Sequence, residues 1–321
     1  MKKSLWLLFI CLLLCIFSLS IGASDFSWQA LFEGDQAMNL VFWQSRLPRT
    51  LSILLAASSM SVAGLLMQAI TQNSFAAPST IGTVEAAKLG LLLSLFIFPN
   101  TSLQQKVMMA FLVSMAVTLF FISFAKRFAL KEQWMLPLLG LVFSGIIGSF
   151  SSIIAYRYNL VQSMSSWTQG SFSMIQSGQY EWLFLGLVIL VIVAISAERF
   201  TIISLGKDIS NSLGLSYDFY EKLALLLVAL TTSVTIITVG SLPFLGVIVP
   251  NIVRRFKGDH LKQSIFSVAL TGMNLVLLCD IIGRLVIRPY EVSVSLVLGI
   301  IGSIVFIGLL WKGSSGHAKE I

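Results

Sequence analysis

The chain has 321 residues, of which 56% are hydrophobic and only 11% are charged, and its formal net charge is +7. A soluble globular domain carries about 25% charged residues, so this composition excludes a water-facing surface over most of the chain. In a membrane protein an excess of Lys and Arg is typical of cytoplasmic loops, and we favour that interpretation over nucleic-acid binding. The sequence therefore predicts an all-α polytopic protein of the cytoplasmic (inner) membrane, with a single domain over residues 1–321.

Apolar stretches of the length that a bilayer requires recur along the whole chain. They predict about ten transmembrane helices, near residues 4–22, 47–69, 80–98, 107–125, 134–156, 182–198, 223–241, 244–254, 264–283 and 292–311. The first stretch follows Lys2 and Lys3 but has a poor cleavage site, so we predict a retained helix and not a signal peptide. With the N-terminus inside, most Lys and Arg residues fall in cytoplasmic segments, which predicts that both termini are cytoplasmic.

Arginines on the outer face run against this charge bias and need an explanation. Arg46 and Arg49 flank the start of the second predicted span, and Arg284 and Arg288 close the ninth. A fork-shaped guanidinium group suits a carboxylate on a partner protein, so these arginines are candidate docking residues. The alternatives are anchoring to lipid phosphate or an intramolecular ion pair with Glu291 or Asp35.

Glu85 and Lys88 lie in the third predicted span, three residues apart and therefore on one helix face. Ionisable groups at membrane depth are costly unless they are paired or hydrated. One hypothesis is a mutual ion pair that stabilises the helix bundle, and the other is a polar position beside a substrate route. In an ion-coupled secondary transporter, Glu85 would be the coupling site.

The segment 240–262 contains Pro243 and Pro250, which cannot both lie in an unbroken helix without freeing backbone carbonyl groups. Broken helices at membrane depth are tolerated where they are buried in protein or line a cavity. We therefore expect irregular backbone here, and an eighth predicted span (244–254) that is too short for a complete crossing.

The stretch 198–222 is too polar to insert in a bilayer, yet its apolar residues recur at helical spacing. Two glycines bracket a predicted short helix within it. Such a helix between two spans docks into a groove on a soluble partner or, alternatively, lies among lipid headgroups. The candidate residues for this contact are Leu205, Gly206, Lys207, Asp208, Ile209, Leu213 and Gly214.

The sequence also lacks some motifs. It contains no GxxxxGK[ST] phosphate-binding loop, so an ATPase, if one drives transport, is a separate chain. Cys11, Cys15 and Cys279 lie in apolar runs, and the histidines form no clustered ligand set. We predict no catalytic residue, no metal site and no cofactor on this chain.

Five segments resemble the FecCD/BtuC-type family, the permeases of ABC importers for iron–siderophores, haem and cobalamin. The similarity is collinear from about residue 40 to residue 312. The segments are SRLPRTLSILLAASSMSVAGLLMQAITQNSFAAPSTIGT, SSWTQGSF, SLGKDISNSLGLS, VGSLPFLGVIVPNIVRRFKGDHLKQS and LCDIIGRLVIRPYEVSVSLVLGIIGSIVFIGLL.

This resemblance implies a ten-helix subunit that pairs with a second permease copy or a sister permease. The fifth and tenth spans would line most of a central pathway between the two. Two ATP-binding subunits would lie on the cytoplasmic side, and an extracytoplasmic siderophore-binding protein on the other. Residues 205–214 would be the coupling helix that docks on the ATPase, and Arg46, Arg49 and Arg284 would receive glutamates of the binding protein.

Departures from the common family pattern favour one branch. Glu85 and Lys88 lie in TVEAAK, where cobalamin-type members have a neutral run of small residues. PYEVSVS stands in place of ELPVG, and PNIV in place of PHIV. These features resemble the branch associated with catecholate and mixed-type siderophores such as enterobactin, anguibactin and petrobactin. The expected function is import of a ferric siderophore, and the alternatives are a cobalamin or haem importer and an ion-coupled secondary transporter.

Overall fold

The computed structural model describes residues 2–22, 27–98, 100, 102–127, 135–258, 260–287 and 290–317. These residues form helices joined by turns and short connections, with no strand among them, which confirms the all-α prediction for this part of the chain. The α-helices are α1 (Lys2–Ser20), α2 (Trp28–Phe32), α3 (Gln36–Val41), α4 (Leu47–Thr71), α5 (Thr83–Ile97), α6 (Leu103–Arg127), α7 (Met135–Arg157), α8 (Val161–Thr168), α9 (Phe184–Ile195), α10 (Ala197–Ile203), α11 (Lys207–Ser212), α12 (Tyr217–Val239), α13 (Leu245–Lys257), α14 (Leu261–Leu285) and α15 (Val294–His317).

A helix lies at each predicted span, but not every helix has the length that a crossing requires. Five described segments are long and apolar enough to cross a membrane: Gln36–Thr71, Leu103–Ala125, Leu138–Arg157, Tyr217–Val239 and Leu261–Leu285. A sixth candidate is the pair of α9 and α10, which bends by 69°. The described apolar parts of α1 and α15 are shorter, so ten complete spans and cytoplasmic termini stay predictions.

Two predicted spans differ from the helices for local reasons. The span predicted at 80–98 is reduced to α5, because a single turn at Pro78–Thr80 and a left-handed Gly82 (φ 88°) precede it. The span predicted at 182–198 ends at the bend after α9, around Ser196, and the chain continues as α10.

Helix α4 lies at the centre of the fold, in contact with α9, α10, α12, α13 and α14. In the apolar 18-residue stretch of Gln36–Thr71, the segment that contains α4, 83% of the residues are buried inside the protein. The corresponding share is 28% for α6 and 28% for α7. Helix association in lipid depends on close packing, which small residues permit. A Cβ added to Gly64 would overlap the carbonyl of Gly246 on α13, and one added to Gly272 on α14 would overlap Ser61.

The proline-containing segment 240–262 has the predicted interruption of the helix. Helix α12 ends at Val239, Pro243 lies in the connection, and Pro250 lies within α13. A proline at 250 has no N–H for the carbonyl of Gly246, four residues earlier. The side chain of Gln68, only 3% exposed, supplies the missing donor from α4, with its Nε2 at 3.4 Å from that carbonyl oxygen. The freed acceptor is therefore satisfied by a neighbouring helix.

Replacing Gln68 with Leu should leave this buried carbonyl without its side-chain donor. We expect a loss of about 1–3 kcal/mol in the free energy of unfolding, the usual cost of an unsatisfied buried acceptor. The measurement is thermal unfolding of the purified protein in detergent. In a Pro250→Ala background, where the backbone N–H is restored, Gln68→Leu should cost clearly less. Equal losses in the two backgrounds would contradict the pairing.

Candidate functional site

In the orientation predicted from the sequence, the outer end of the bundle is the end where α4 begins and α14 ends. It holds a buried ion pair on α14. Asp280 is fully buried, and Arg284, one turn later, donates from Nε to its Oδ2 at 2.8 Å and from Nη2 to the same oxygen. Arg284 Nη1 donates to the carbonyl oxygens of Ser18 (2.8 Å) and Ile21 (2.6 Å), and Nη2 donates to Ser18 Oγ (2.6 Å). A guanidinium group has five N–H donors, so Arg284 is saturated by acceptors within the chain.

Arg49 reaches the same carboxylate from α4. Its Nη2 lies 2.7 Å and its Nε 3.2 Å from Asp280 Oδ1, and its Nη1 donates to both oxygens of Glu291, at 3.0 and 2.9 Å. The ion pair with Glu291, one of the alternatives raised from the sequence, is therefore confirmed. Asp35 instead accepts from the backbone N–H of Ala37 at 2.8 Å and caps α3.

Arg46 lies at the end of the π-turn that leads into α4 and is 5% exposed. Its Nη1 donates to the carbonyl of Leu19 at 2.6 Å, so Arg46 and Arg284 both bind the C-terminal end of α1. Cations are favoured there because the last helical carbonyls lack backbone partners and carry the negative end of the helix dipole. Binding of a partner's carboxylates stays a prediction for these three arginines, and Arg288 lies outside the described residues. The geometry favours Arg49, whose side chain is 13% exposed and whose bonds to Asp280 and Glu291 occupy four of its five donors.

Asp280 was not among the residues that we selected from the sequence. It holds Arg49 and Arg284 together and so fixes the outer ends of α4 and α14. The sequence did contain information that indicates Asp280, because an acidic residue inside a predicted span is a candidate functional residue by default. Its spacing of four residues before Arg284 also indicates an ion pair on one helix face.

The ion pair between Glu85 and Lys88 is present on α5. Lys88 Nζ lies 2.8 Å from Glu85 Oε1, and the two side chains are 16% and 27% exposed, respectively. Glu85 also faces α7, where a Cβ added to Gly148 would lie 3.4 Å from Oε2. The mutual pair is confirmed, and a place beside the substrate route stays a prediction.

The stretch 198–222, predicted to be a cytoplasmic loop, contains the short helix predicted between two glycines. Gly206 (φ 105°) precedes α11 and Gly214 (φ 79°) follows it, both with backbone conformations that favour glycine. Leu205, Ile209 and Leu213 are 53%, 48% and 61% exposed. An otherwise polar loop therefore presents three large apolar side chains at its surface.

Two further candidates in this loop are exposed polar residues. Lys207 Nζ lies 3.0 Å from Asp218 Oδ1, and both side chains are more than half exposed, so this pair contributes little to stability. Asp208 lies in the first turn of α11, where the helix dipole favours a carboxylate.

The loop is attached to the inner end of α4. Tyr217, at the start of α12, donates its hydroxyl hydrogen to the carbonyl of Ile70 at 3.0 Å. Gln72, which ends α4, donates from Nε2 to the carbonyl of Ser204 at 3.3 Å. The residues that flank α11, Ser204 before it and Tyr217 after it, are therefore both hydrogen-bonded to the C-terminal end of α4.

Replacing Asp280 with Asn should strongly destabilise the protein, because it removes the buried negative charge that faces Arg49 and Arg284. Breaking a buried ion pair by removing one partner costs about 3–5 kcal/mol. Glu291→Gln is the matched control, since Glu291 is partly exposed and water can hydrate Arg49 in its place. Thermal unfolding in detergent measures both variants, and equal losses would contradict the central role of Asp280.

For Glu85 and Lys88, each single change to Ala should destabilise the protein more than the double change. A single change leaves one charge in a partly buried site without its partner. The measurement is a double-mutant cycle on thermal unfolding in detergent. Additive losses would argue that the two side chains act separately.

Comparison with known proteins gives the family. The FecCD transport family model matches residues 9–312. The petrobactin import system permease protein YclN of Bacillus subtilis is 41% identical over 97% of this chain and 98% of its own length. The ferric-anguibactin transport system permease protein FatD of Vibrio anguillarum is 36% identical over 94% of this chain and 96% of its own.

A solved structure described as an inward-facing conformation of a metal-chelate type ABC transporter is also similar. Its TM-score is 0.80 at 23% identity, over 97% of this chain and 99% of that one, which shows a shared fold. The family match extends over nearly the entire described length, including Arg46, Arg49 and Arg284 and the loop around α11. The chain belongs to the FecCD transport family.

Proposed function

We propose that this chain is the permease of an ABC importer that moves a ferric siderophore across the cytoplasmic membrane. ATP hydrolysis resides on separate subunits. The observation that carries the proposal is the exposed apolar surface of Leu205, Ile209 and Leu213 around α11, in a chain without a phosphate-binding loop of its own. Such a surface needs a partner, and an ATPase that binds it supplies the energy.

The mechanism is alternating access. Two ATP-binding subunits close when they bind ATP and move the coupling helices of two permeases. In this chain the motion passes from α11 to α12 and, through Tyr217 and Gln72, to α4. The pathway then opens alternately to the two sides of the membrane.

A second permease copy or a sister permease completes the pathway. Support comes from α7 and α15, which expose stripes of large apolar residues in the single chain. On α15 the exposed positions include Ile300, Ile304 and Ile307, spaced along one helix face. A facing permease covers part of these stripes and lipid covers the rest. Ten spans with both termini inside is the topology that goes with this assembly.

The substrate class rests on the named relatives. Two proteins that match along nearly their whole length are named for petrobactin and anguibactin, both siderophores. The BtuC proteins named for vitamin B12, which also match, are 27% identical. Because a binding protein delivers the substrate, its identity selects the particular siderophore.

Uptake by the intact importer tests this proposal. With its ATPase and binding protein, the complex should take up iron-labelled ferric petrobactin or anguibactin in preference to cobalamin and haem. Uptake should be sensitive to vanadate and should survive an uncoupler, whereas an ion-coupled transporter would show the reverse.

Within the same assay, Leu213→Asp should abolish uptake and leave membrane insertion intact. The reason is the loss of apolar surface where α11 meets the ATPase. Ser212→Asp, which adds the same charge next to it, is the matched control and should retain clearly more uptake. A Leu213→Asp complex that retains its ATPase and transports normally would refute the coupling role.

Arg49 is our candidate for binding a carboxylate of the siderophore-binding protein, with Arg46 and Arg284 behind it. Arg49→Gln should weaken delivery by the loaded binding protein, by about 2–5 kcal/mol if the contact is desolvated and less at a rim. Glu291→Gln keeps the arginine but removes a competing internal carboxylate, so it should bind at least as tightly as wild type. The effect of Arg49→Gln should shrink at high salt. Unchanged affinity of Arg49→Gln would end the docking proposal.

A further inference from the structure

A groove opens between α1, α13 and α14, and its lining includes none of the three arginines and no residue of the loop around α11. Its cavity volume is about 370 Å³. Its lining is formed by Trp6, Leu7, Ile10, Ile252, Val253, Phe256, Lys257, Ser267 and Thr271. Trp6 and Phe256 at its edges are 67% and 65% exposed. The groove is therefore largely apolar and open to the surroundings of the bundle.

Lys257 is the one basic residue in this lining. Its Nζ donates to Ser4 Oγ of α1 at 3.0 Å and to the carbonyl oxygen of Gln263 on α14 at 3.0 Å. An ammonium group has three N–H donors, and neither of these acceptors carries a charge. Lys257 therefore holds a positive charge in place at the groove and keeps a donor for an anion.

The other charged residues near the groove also favour an anionic ligand. The last turn of α13 contains Arg254, Arg255 and Lys257, a local concentration of positive charge. Lys262 on the neighbouring helix lies 2.5 Å from Glu198 Oε1, so its charge is balanced by a carboxylate, whereas Lys257 donates to two neutral acceptors. Basic clusters next to a membrane helix attract anionic lipid headgroups.

We infer that this groove binds an anionic phospholipid. Its phosphate accepts a hydrogen bond from Lys257, and an acyl chain lies against Leu7, Ile10 and Ile252. A phospholipid joins a long apolar chain to an anionic head, the two features that this lining presents together. Because the groove is formed by three helices, the bound lipid bridges α1, α13 and α14. In the topology proposed above, the site faces the cytoplasmic leaflet.

The test uses the full-length protein in nanodiscs of equal phosphatidylglycerol and phosphatidylethanolamine. After transfer to detergent, native mass spectrometry counts the retained lipids of each type. Wild type should retain phosphatidylglycerol in excess. Lys257→Gln should reduce that excess about fivefold, the change that corresponds to about 1 kcal/mol for one basic residue near an anionic surface.

Three further variants make the result specific. Lys257→Arg should keep the preference, because it keeps the charge. Lys262→Gln, the matched control with an ion-paired lysine outside the groove, should also keep it. Thr271→Phe leaves every charge in place but fills the groove, and should lower the total number of retained lipids. An unchanged lipid ratio in Lys257→Gln, an equal loss in Lys262→Gln, or full retention in Thr271→Phe would each overturn the inference.

Discussion

A helix at the centre of a membrane bundle has no water to satisfy its polar groups and gains no hydrophobic attraction towards its neighbours. Helix α4 meets this constraint in two ways. Three of its serines donate to carbonyl oxygens of their own helix, as where Ser58 and Ser59 donate to carbonyl oxygens one turn earlier at 2.7 Å. Its glycine at position 64 lets the backbone of α13 approach closely. The remaining helices can assemble around α4 because it presents few groups that need anything from outside the protein.

The two ends of α4 carry different kinds of contact. With 25 residues, the helix is about 37 Å long, enough to connect the two faces of a bilayer. At the outer end, Arg49 is held by two carboxylates, one of them fully buried, so charge fixes the position of the helix there. At the inner end, neutral hydrogen bonds from Tyr217 to the carbonyl of Ile70 and from Gln72 to the carbonyl of Ser204 join the helix to the loop. The described attachment of the outer end is therefore charged and largely buried, whereas that of the inner end includes neutral hydrogen bonds.

Local features of this fold were predictable, and distant contacts were not. Apolar runs located the helices, the two prolines located the break, and paired glycines located α11, because each signal acts over a few residues. The shortened α5 was missed because the turn at Pro78–Thr80 and Gly82 delay the start of the helix, and the bend at Ser196 was missed because it lies within a stretch of high hydropathy. The contacts of Arg49 were harder to predict from the sequence. Asp280 lies 231 residues away along the chain, and no local sequence pattern indicates that the two side chains are in contact.

The hydrogen bond from Gln68 to the carbonyl freed by Pro250 restricts the order in which this chain can change during evolution. If the proline is lost first, the backbone N–H at position 250 is restored, and the carbonyl of Gly246 no longer needs a side-chain donor at position 68. Loss of the glutamine first leaves a buried acceptor unsatisfied, a step that selection opposes. Lineages should therefore keep both residues or lose the proline before the glutamine. Leucine at position 68 together with proline at position 250 should be a rare combination.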